Sequence, residues 1–533
     1  MNQPTRGRRG IAVAPHALAS QSALAVLRDG GNAIEAMVAA AATIAVVYPH
    51  MNGIGGDSFW LMSLNGAGAR QVIGVEGCGA AAAAVRPENY AGLTAIPFRG
   101  GWSALTVAGT LSAWERSLAL SRDRLGGRLP LSRLLADAID YATHGTPITA
   151  SQHRNTAAKC DELAAVSGFA ETFLEGGVAP PTGSLFRQPR LAATLAHLAH
   201  AGLQDFYTGD LARNMAAELQ RVGSPLGLRD LEQHRAPERV PLVLDHSQGR
   251  VYNMPPPTQG LVSLMILGLM DRLPGARTHH LGAAYVHAAV ESAKRAFRVR
   301  DAHLTDPAFM QVDPTDFLTA AALDAAAAGV DAMRAAPWGP GAGPADTVWL
   351  GVIDGAGNAV SMIQSIYHEF GSGLVLPTSG VNWQNRGASF SLQPGHINAL
   401  APGKKPFHTL NPALAALHDG RLMVYGNMGG DGQPQSQSAV FTRTVVHGMD
   451  PQQAVNAPRW LLGRTWGQAS DSLKLERRFP AQTVAELRAL GHEVELLSDY
   501  DEACGHAGCA VRHADGSLEA GFDPRSDGGV AAF

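Results

Sequence analysis

Two hydroxyl residues occupy facing positions in a predicted β-hairpin, where their spacing could support nucleophilic chemistry. The runs TVWLGVI (347–353) and AVSMIQSI (359–366) are rich in β-forming residues and flank DGAGN, which is a turn signal. If the turn is centred on Ala356, antiparallel pairing places Thr347 opposite Ser365, with Cβ atoms about 5 Å apart. A hydroxyl is a weak nucleophile unless a base lies beside it, and the hairpin contains no His or Lys.

Two interpretations of this hairpin remain open. Cleavage of the chain before Thr347 would free an α-amine, with an ordinary pKa near ~8, beside the Thr347 hydroxyl. The nucleophile would then carry its own base. In the other interpretation Thr347 and Ser365 form an ordinary cross-strand pair, and the hairpin alone favours this simpler arrangement.

A second candidate feature is the glycine-rich segment GNMGGDGQPQ (426–435), which follows the predicted strand RLMVY. Consecutive glycines leave backbone N–H groups free to converge on one point, as an oxyanion hole requires, and a tight turn is the alternative. The earlier segment GIGGD (53–57) lacks the Lys-Ser/Thr of a phosphate-binding loop and the full dinucleotide motif. We therefore exclude nucleotide binding.

Composition excludes several classes of protein. The 533 residues are 46% hydrophobic, enough for a substantial core, and the formal charge of −4 is spread without strong blocks. This gives no basic surface for nucleic acid or an anionic membrane. The longest apolar run, AMVAAAATIAVVY (36–48), is too short to span a bilayer, and the N-terminus lacks the apolar core of a signal peptide. We therefore expect a soluble, cytoplasmic protein.

The four cysteines, Cys78, Cys160, Cys504 and Cys509, are too few for a disulfide framework in so long a chain. The run CGHAGC (504–509) offers three metal-ligating side chains, but their spacing is unlike that of zinc fingers. Reduced, partly buried thiols are the simpler interpretation. The sequence therefore predicts no metal site and no organic cofactor.

The order of elements predicts an α+β fold. Helical periodicity and end signals predict helices over much of the first half of the chain, including 17–31, 33–47 and 280–304. Strands separated by glycine turns dominate after residue 346. The Ala/Gly/Pro-rich stretch 321–346 is a candidate flexible segment between the two parts. A layered sandwich of sheets and helices suits this order.

Several short motifs together resemble the γ-glutamyltranspeptidase family of N-terminal-nucleophile hydrolases. Each motif alone is weak, but their order and spacing along nearly the whole chain are specific. The matching blocks are GGNAIEAMVAAA (30–41), YPHMNGIGGDSFWLM (48–62), TVAGTLSAW (106–114), PPPTQG (255–260), DTVWLGVIDGAGNAVS (346–361), FGSG (370–373), GNMGG (426–430), NAPRW (456–460) and DPRS (523–526).

This resemblance implies a proenzyme that cuts itself between Asp346 and Thr347. Residues 1–346 would form a helix-rich large subunit and residues 347–533 a β-rich small subunit. The two would stay associated in a four-layer αββα sandwich. Thr347 matches the family's nucleophile, so the resemblance favours cleavage over the ordinary cross-strand pair.

The resemblance also implies roles for other residues near Thr347. Ser365 matches a family Thr that hydrogen-bonds the nucleophile, and Gly429 and Gly430 match the family's pair of oxyanion donors. Arg86 lies one residue out of register with a family Arg that binds the substrate carboxylate. Ser365, Gly429 and Gly430 are therefore predicted catalytic residues, and Arg86 is a predicted substrate contact.

The substrate-binding positions depart from the family pattern. Where transpeptidases hold the substrate amine with an Asn, an acidic or amide residue and an Asp, this chain has Tyr367, Arg386 and Ser389. Two family serines that bind the substrate carboxylate are replaced by His408 and Thr409. We expect Tyr367, Arg386, His408 and Thr409 to contact the substrate.

A pocket that has Arg386 and no carboxylate would repel an ammonium group and attract a carboxylate. This pattern fits a small anionic amide. The blocks YPHMNGIGGD and GNMGGDGQPQ look closest to the oxamate amidohydrolase branch of the family, which releases ammonia and oxalate in purine breakdown. For Arg386 and His408, a surface ion pair or a structural hydrogen bond remains an alternative.

We therefore expect an autoprocessing amide hydrolase that forms an acyl-enzyme on Thr347 and needs no cofactor. Its partners would be a small amide substrate and the two subunits of one precursor, with pairing of αβ units as a further expectation. The alternatives are a glutathione hydrolase or γ-glutamyltransferase, a cephalosporin-type acylase, and an inactive scaffold that binds a metabolite.

Overall fold

The computed structural model describes residues 3–65, 70–339, 346–463 and 470–533, with Asp346 described by its backbone alone. Within these ranges, two seven-stranded sheets form the centre of the molecule. The strands are β1 (Thr5–Gly7), β2 (Gly10–Ala14), β3 (Asp57–Leu64), β4 (Gln71–Gly77), β5 (Thr146–Pro147), β6 (Leu185–Phe186), β7 (Glu238–Arg239), β8 (Leu242–His246), β9 (Gly249–Asn253), β10 (Asp346–Asp354), β11 (Ala359–Tyr367), β12 (Ala413–Leu417), β13 (Leu422–Asn427), β14 (Trp460–Leu462), β15 (Leu473–Glu476), β16 (Val494–Leu497), β17 (Ala507–Arg512), β18 (Leu518–Phe522) and β19 (Gly529–Ala532).

Both large sheets are antiparallel, and each mixes strands from the two sides of Thr347. Sheet I has the strand order β1-β18-β17-β13-β12-β9-β8, and sheet II has the order β19-β2-β10-β11-β3-β4-β7. In sheet II, β10 lies between β2 and β11. The strand that begins at the candidate cleavage site is therefore an interior strand, and its position is fixed from both sides.

Helices cover the outer face of each sheet. They are α1 (Ala17–Arg28), α2 (Ala33–Val47), α3 (Thr110–Leu125), α4 (Leu131–Leu134), α5 (Ala136–His144), α6 (Ala150–Leu163), α7 (Phe169–Phe173), α8 (Pro189–Ala201), α9 (Asp205–Thr208), α10 (Asp210–Arg221), α11 (Leu228–Gln233), α12 (Gly260–Met270), α13 (Ala283–His303), α14 (Ala320–Ala328), α15 (Gly432–Val445), α16 (Pro451–Asn456) and α17 (Ala481–Ala489). Helices α1, α2 and α3 pack on sheet II, whereas α12 and α15 pack on sheet I.

Apolar side chains fill the space between the two sheets. Phe59, Trp349 and Ile363 of sheet II form one buried cluster with Leu414 and Val424 of sheet I. Separate buried clusters lie between each sheet and its outer helices. The fold is thus the four-layer αββα sandwich that the family resemblance predicted.

Helix α2 shows how local sequence builds this frame. The Asn32 side chain accepts the N–H of Ile34 at 3.0 Å, and the Glu35 carboxylate accepts the N–H of Asn32 at 2.9 Å, which forms a capping box. All residues from Ala33 to Val47 are buried, because α2 lies between sheet II and the helices α1 and α5. The predicted helix over 33–47 is confirmed, and Asn32 is its N-terminal cap.

The predicted hairpin of β10 and β11 forms with the predicted turn. Val348 pairs with Gln364 and Ile353 pairs with Ala359, which is the register expected for a turn centred on residue 356. Within the turn, the Asp354 carboxylate accepts the backbone N–H of Asn358 at 2.9 Å and that of Ala33, the first residue of α2, at 3.0 Å. One aspartate thus closes the turn and fixes the hairpin to an outer helix.

The stretch 321–346 contains a helix that was not predicted from the sequence. Helix α14 occupies residues 320–328, because its Ala-rich sequence favours helix and Leu323 is buried against α12. Residues 340–345 of that stretch lie outside the described ranges. The first 346 residues contribute helices α1–α14 as well as strands β1–β9. Within the described ranges, no helix has both the length and the apolar character needed to cross a membrane.

Candidate active site

Thr347 is buried near the start of β10, at a break in the strand pairing. The register between β10 and β11 shifts between Asp346 and Val348, which leaves Thr347 alone opposite both Ser365 and Ile366. The expected regular pair of Thr347 with Ser365 is therefore wrong, because a β-bulge replaces it. A bulge bends the chain locally and changes the direction of a side chain.

Gln433 contacts the candidate nucleophile. Its Nε2 donates a hydrogen bond to Thr347 Oγ1 at 3.3 Å. Gln433 is the second residue of α15 and lies within the glycine-rich segment 426–435. Ser365, which the family resemblance assigned to the nucleophile, accepts the backbone N–H of Tyr367 at 2.8 Å through its Oγ. Because Tyr367 has φ +83°, this bond stabilises a strained turn of the chain at the end of β11.

The loop between β13 and α15 has the backbone shape expected of an oxyanion site. Gly429 has φ +110° and Gly430 has φ +49°, which is the left-handed region that favours glycine. The Gly429 carbonyl accepts the N–H of Gly432 at 2.7 Å, where the 14-residue helix α15 begins. The positive end of the helix dipole favours a negative charge that develops at this loop.

A buried ion pair and one glutamine hold the glycine loop in place. Arg300 Nη1 donates to Asp431 Oδ1 at 2.7 Å, and both side chains are buried. Gln259 Nε2 donates to the carbonyls of Gly430 at 2.9 Å and Thr409 at 2.8 Å, and its Oε1 lies 3.4 Å from Arg300 Nη1. Gln259 therefore ties the oxyanion loop to the segment that carries the predicted substrate contacts.

Arg386 supplies a buried cation to the site. Its side chain is fully buried, and within the described residues none of its guanidinium nitrogens has a hydrogen-bond partner. Its guanidinium carbon lies 4.0 Å from the centroid of the Tyr367 ring, a cation–π stack that fixes the plane of the group. Burial lowers the pKa of Arg386, against the effects of Tyr367 and Asp57, but an arginine stays protonated in proteins. Its N–H donors therefore remain available to an anion.

Asp57 and His408 face each other beside Arg386. Asp57 Oδ1 accepts the N–H of Gly109 at 3.0 Å and Nε2 of Gln384 at 3.1 Å. Its Oδ2 lies 3.2 Å from His408 Nε2, although the two atoms are not aligned for a hydrogen bond. Burial raises the pKa of Asp57 to about 6, while Arg386 and the bonds from Gln384 and Gly109 act to lower it. Burial holds the pKa of His408 well below its usual range, and Arg386 lowers it further, so the ring is neutral.

The buried carboxylate of Asp57 corrects the expectation of a site without a carboxylate. That expectation rested on the positions that match the family's amine-binding residues, and Asp57 is not among them. The structure brings Asp57 to Arg386 because β3 pairs with β11, in which Asp57 is the partner of Ser365. The site thus holds one buried anion as well as one buried cation.

Thr409, Ser389 and Arg86, the other residues considered for substrate binding, differ in whether their side chains can reach a ligand. Thr409 Oγ1 is buried and lacks a hydrogen-bond partner in the described part of the chain, so it is available to a ligand. Ser389 Oγ instead donates to the carbonyls of Arg386 at 2.9 Å and Phe407 at 3.2 Å, which holds two loops together. Arg86 is exposed, and its Nη1 donates to carbonyls of its own loop. The structure therefore does not bring Arg86 into the buried site.

Sequence reasoning missed four residues of the site, which are Asp57, Gln259, Arg300 and Gln433. Asp57, Gln259 and Gln433 lie inside the motifs GIGGD, PPPTQG and GNMGGDGQPQ. In these motifs the glycines and prolines give the local signal, and the polar side chains beside them carry none of their own. Arg300 lies in the long amphipathic helix α13, and no local signal distinguishes it from a surface arginine.

Two clusters in the described ranges bring metal-ligating side chains close together. They are Asp57 with Cys78 and His408, and His287 with Glu291 and His492. In the first cluster, the neighbouring cation of Arg386 opposes binding of a second cation. In the second, His287 Nδ1 and His492 Nε2 are 2.8 Å apart and Lys294 Nζ donates to Glu291 at 2.7 Å, so these atoms already have partners.

A four-layer αββα sandwich, with a buried Thr at the start of an interior strand and a glycine loop beside it, defines an N-terminal-nucleophile hydrolase. The chain belongs to the γ-glutamyltranspeptidase family, whose model matches residues 19–533. The family resemblance predicted from the motifs is thereby confirmed.

Named relatives and a solved structure agree with this membership. The chain is 57% identical to the oxamate amidohydrolase proenzyme of Klebsiella pneumoniae subsp. pneumoniae over 533 residues, which cover 100% of both chains. It is 40% identical to the glutathione hydrolase-like YwrD proenzyme of Bacillus subtilis, again over 100% of both chains. A crystal structure of cephalosporin acylase from Bacillus halodurans is similar with a TM-score of 0.91 and 32% identity, covering 100% of this chain and 97% of that one.

Proposed function

We propose that the chain cuts itself between Asp346 and Thr347 and then hydrolyses a small anionic amide, oxamate, to oxalate and ammonia. Residues 1–346 and 347–533 would be the large and small subunits. The similarity to two relatives named as proenzymes supports processing. The bulge at Thr347 and its contact with Gln433 support the position of the cut.

After cleavage, Thr347 carries both the nucleophile and the base. Its Oγ1 attacks the amide carbonyl while its new α-amine takes the hydroxyl proton. Gln433 Nε2, 3.3 Å from Oγ1, orients the hydroxyl oxygen. The N–H groups of Gly429 and Gly430 hold the oxyanion, and each such donor is typically worth about 3 kcal/mol. Ammonia leaves with the proton from the amine, and water then hydrolyses the acyl-enzyme.

The substrate assignment rests on Arg386. A fully buried guanidinium with no acceptor among the described residues is unfavourable until a ligand supplies one. Tyr367, on which Arg386 stacks, pairs with Asp346, the residue before Thr347. This pairing supports a carboxylate on Arg386 near the start of β10, and in oxamate the carboxylate is bonded directly to the amide carbon. The 57% identity to an oxamate amidohydrolase supports the same substrate.

Hydrolysis of glutathione or of a cephalosporin is the competing assignment, because similar proteins carry those names. A γ-glutamyl substrate has an α-ammonium group, which needs a free anionic or amide partner. Asp57 is a buried carboxylate near Arg386, but its Oδ1 accepts bonds from Gly109 and Gln384, and its Oδ2 lies 3.2 Å from His408 Nε2. The cation of Arg386 beside it opposes an ammonium group.

The proposal is tested with purified wild-type protein and the variants Thr347→Ala and Thr347→Ser. Wild type should give two fragments on a denaturing gel, the smaller beginning at Thr347, while Thr347→Ala stays full-length and inactive. Thr347→Ser keeps the hydroxyl and the amine, so it should still be cut and still release ammonia from oxamate.

A parallel assay with a γ-glutamyl anilide separates the competing substrates. Turnover of the anilide alone would contradict the oxamate assignment. A wild-type chain that stays full-length and releases no ammonia would support the inactive scaffold instead.

We extend the proposal to a cytoplasmic enzyme of purine breakdown in which αβ units pair. All four cysteines are free thiols, and three are buried, which suits a reducing compartment. Fractionation of the source cells tests the location. Growth on purines as the nitrogen source, after deletion of the gene for this chain, tests the pathway. Sedimentation of the processed protein tests the pairing of αβ units.

A further inference from the structure

Asp57 is a charged group of the site to which the proposed reaction assigns no role. It is fully buried beside Arg386, and its Oδ2 has no aligned hydrogen-bond partner within the described ranges. The closest polar atom recorded for that oxygen is His408 Nε2, at 3.2 Å. The titratable or charged groups that face Asp57 or its neighbours are Arg386, His408, His234, Cys78, Tyr207, Lys405 and Glu76.

These groups set the charge of the pocket before a ligand binds. Burial lowers the pKa of His234 to about 4 and raises that of the Cys78 thiol, so both are neutral at pH 7. His408 is neutral as well. Lys405 and Arg239 are partly exposed and both form ion pairs with Glu76, so solvent screens the one positive charge that these three groups retain.

The charge of the inner pocket therefore depends on Arg386 and Asp57. Above about pH 6 Asp57 is ionised and offsets Arg386, and the pocket has no net charge. An anion that binds under these conditions adds an uncompensated negative charge to a buried site, which is strongly unfavourable.

We propose that an anionic substrate binds at Arg386 together with one proton, which Asp57 takes up. This inference rests on the proposed anionic substrate and identifies Asp57 as the positioning residue that couples anion binding to proton uptake. The new proton lies on Oδ2, which is 3.2 Å from His408 Nε2 in the structure. A small rotation of either side chain aligns the two atoms, and Oδ2 then donates this proton in a hydrogen bond to Nε2. The neutral His408 ring then keeps its own proton on Nδ1, which is buried without a partner in the described part of the chain. That nitrogen becomes a donor to the anion.

The same linkage discriminates between ligands by their charge. An anion binds better as the pH falls, because binding and protonation of Asp57 favour each other. A ligand that carries an ammonium group would favour the ionised form of Asp57 and bind better as the pH rises. Asp57 acts through Arg386 and His408 and makes no covalent contribution to the reaction.

Proton uptake is measured directly on the processed wild-type enzyme. Sodium oxalate, the proposed product, is titrated by calorimetry in two buffers that differ in ionisation enthalpy. We expect uptake of about one proton at pH 8, falling towards zero below pH 5, and a Kd that rises about tenfold per pH unit above pH 6.5. Binding of oxalate at pH 8 without proton uptake would overturn the inference.

Kinetics of Asp57→Asn provide the second test, with Asp354→Asn as the matched control. Asp354 is also a buried carboxylate that accepts backbone N–H groups, but it lies in the turn at the other end of β10. The KM of wild type and of Asp354→Asn for oxamate should rise about tenfold per pH unit above pH 6.5, whereas that of Asp57→Asn should stay flat. The pH profile of kcat should be shared by all three, because the Thr347 amine sets it.

The outcomes separate this inference from the proposed function. A wild-type enzyme that releases no ammonia from oxamate overturns the proposed function. If wild type is active but its KM for oxamate does not depend on pH, only the role of Asp57 is overturned. The same holds if the KM of Asp57→Asn rises with pH as steeply as that of wild type. If Asp57→Asn does not fold, the calorimetric measurement on wild type still decides.

Discussion

Replacement of Arg386 by methionine should separate recognition of the substrate from stability of the fold. Methionine fills the space of the arginine stem and can still pack on the Tyr367 ring. The guanidinium donates no hydrogen bond to the described residues, so its removal leaves no protein acceptor without a donor. Asp57 loses its neighbouring cation and becomes protonated. Because the protonated Asp57 leaves no buried charge uncompensated, the loss of the guanidinium resembles the replacement of a whole buried pair, and we expect an unchanged or higher Tm.

The loss of activity can be derived from the contacts that the guanidinium offers. A carboxylate bound by both arms of Arg386 would gain two charge-assisted hydrogen bonds, each worth about 1.5–3 kcal/mol. Their loss costs about 3–6 kcal/mol, or roughly 10²–10⁴ in kcat/KM for oxamate at about 1.4 kcal/mol per decade. Arg386→Lys keeps the charge but not the planar fork, so it should recover only part of the loss.

The assay is ammonia release from oxamate, with thermal unfolding of the same preparations. Arg443→Met is the matched control. Arg443 is also fully buried, and its guanidinium carbon lies 5.8 Å from the Trp460 ring centroid. Within the described ranges its Nε and Nη1 have no hydrogen-bond partner. Unlike Arg386, it lies near the C-terminal end of α15, away from the site. It should retain wild-type kinetics. The reasoning fails if Arg386→Met stays within tenfold of wild-type kcat/KM, or if both variants lose activity equally.

Three further changes test the framework of the site. Gly429→Ala should lower kcat by about 10²-fold or more while the protein stays folded, because φ +110° is strained for alanine and its N–H moves; an unchanged kcat would exclude Gly429 as an oxyanion donor. Gln259→Leu should lower kcat/KM by roughly tenfold, since two hydrogen bonds to loop carbonyls are lost, and steady-state kinetics beside an intact melting curve check this. Burial alone would raise the pKa of Asp523, but Arg459 and Arg525 lower it to about 2. Its carboxylate therefore stabilises the fold above pH 4, and this stabilisation is lost as the pH falls to 2. The free energy of unfolding of Asp523→Asn should be lower by about 3–5 kcal/mol at pH 7, and it should depend less on pH between 4 and 2 than that of wild type. Equal pH dependence in both proteins would contradict this.

Features encoded by neighbouring residues could be predicted from the sequence. The Asn32 cap and the extent of α2 follow from a polar residue before an apolar run, and the turn 354–358 follows from its Asp and Gly residues. The position of Thr347 was predictable because its strand, its turn and the order of the family motifs agree. These signals depend on a few residues in sequence, where local geometry decides the outcome.

The charge balance of the site could not be predicted in this way. Asp57, Arg386 and His408 come from β3, from the loop after β11 and from the segment before β12, and only the folded sheets bring them together. The pair of Arg300 and Asp431 joins residues that are 131 positions apart. No spacing rule relates such positions, and a residue's burial depends on every layer that covers it.

The mixing of strands within the two sheets limits what a cut after Asp346, the first residue of β10, can do. Each sheet takes strands from both sides of that bond, and the last strand of the chain, β19, pairs with β2, which is close to its start. The two fragments that this cut would produce share both sheets. They would therefore not dissociate on dilution unless the strand pairing in both sheets were lost together. The nick therefore changes the connectivity of the molecule while its architecture persists. Recombining separately denatured fragments would mean rebuilding the whole core.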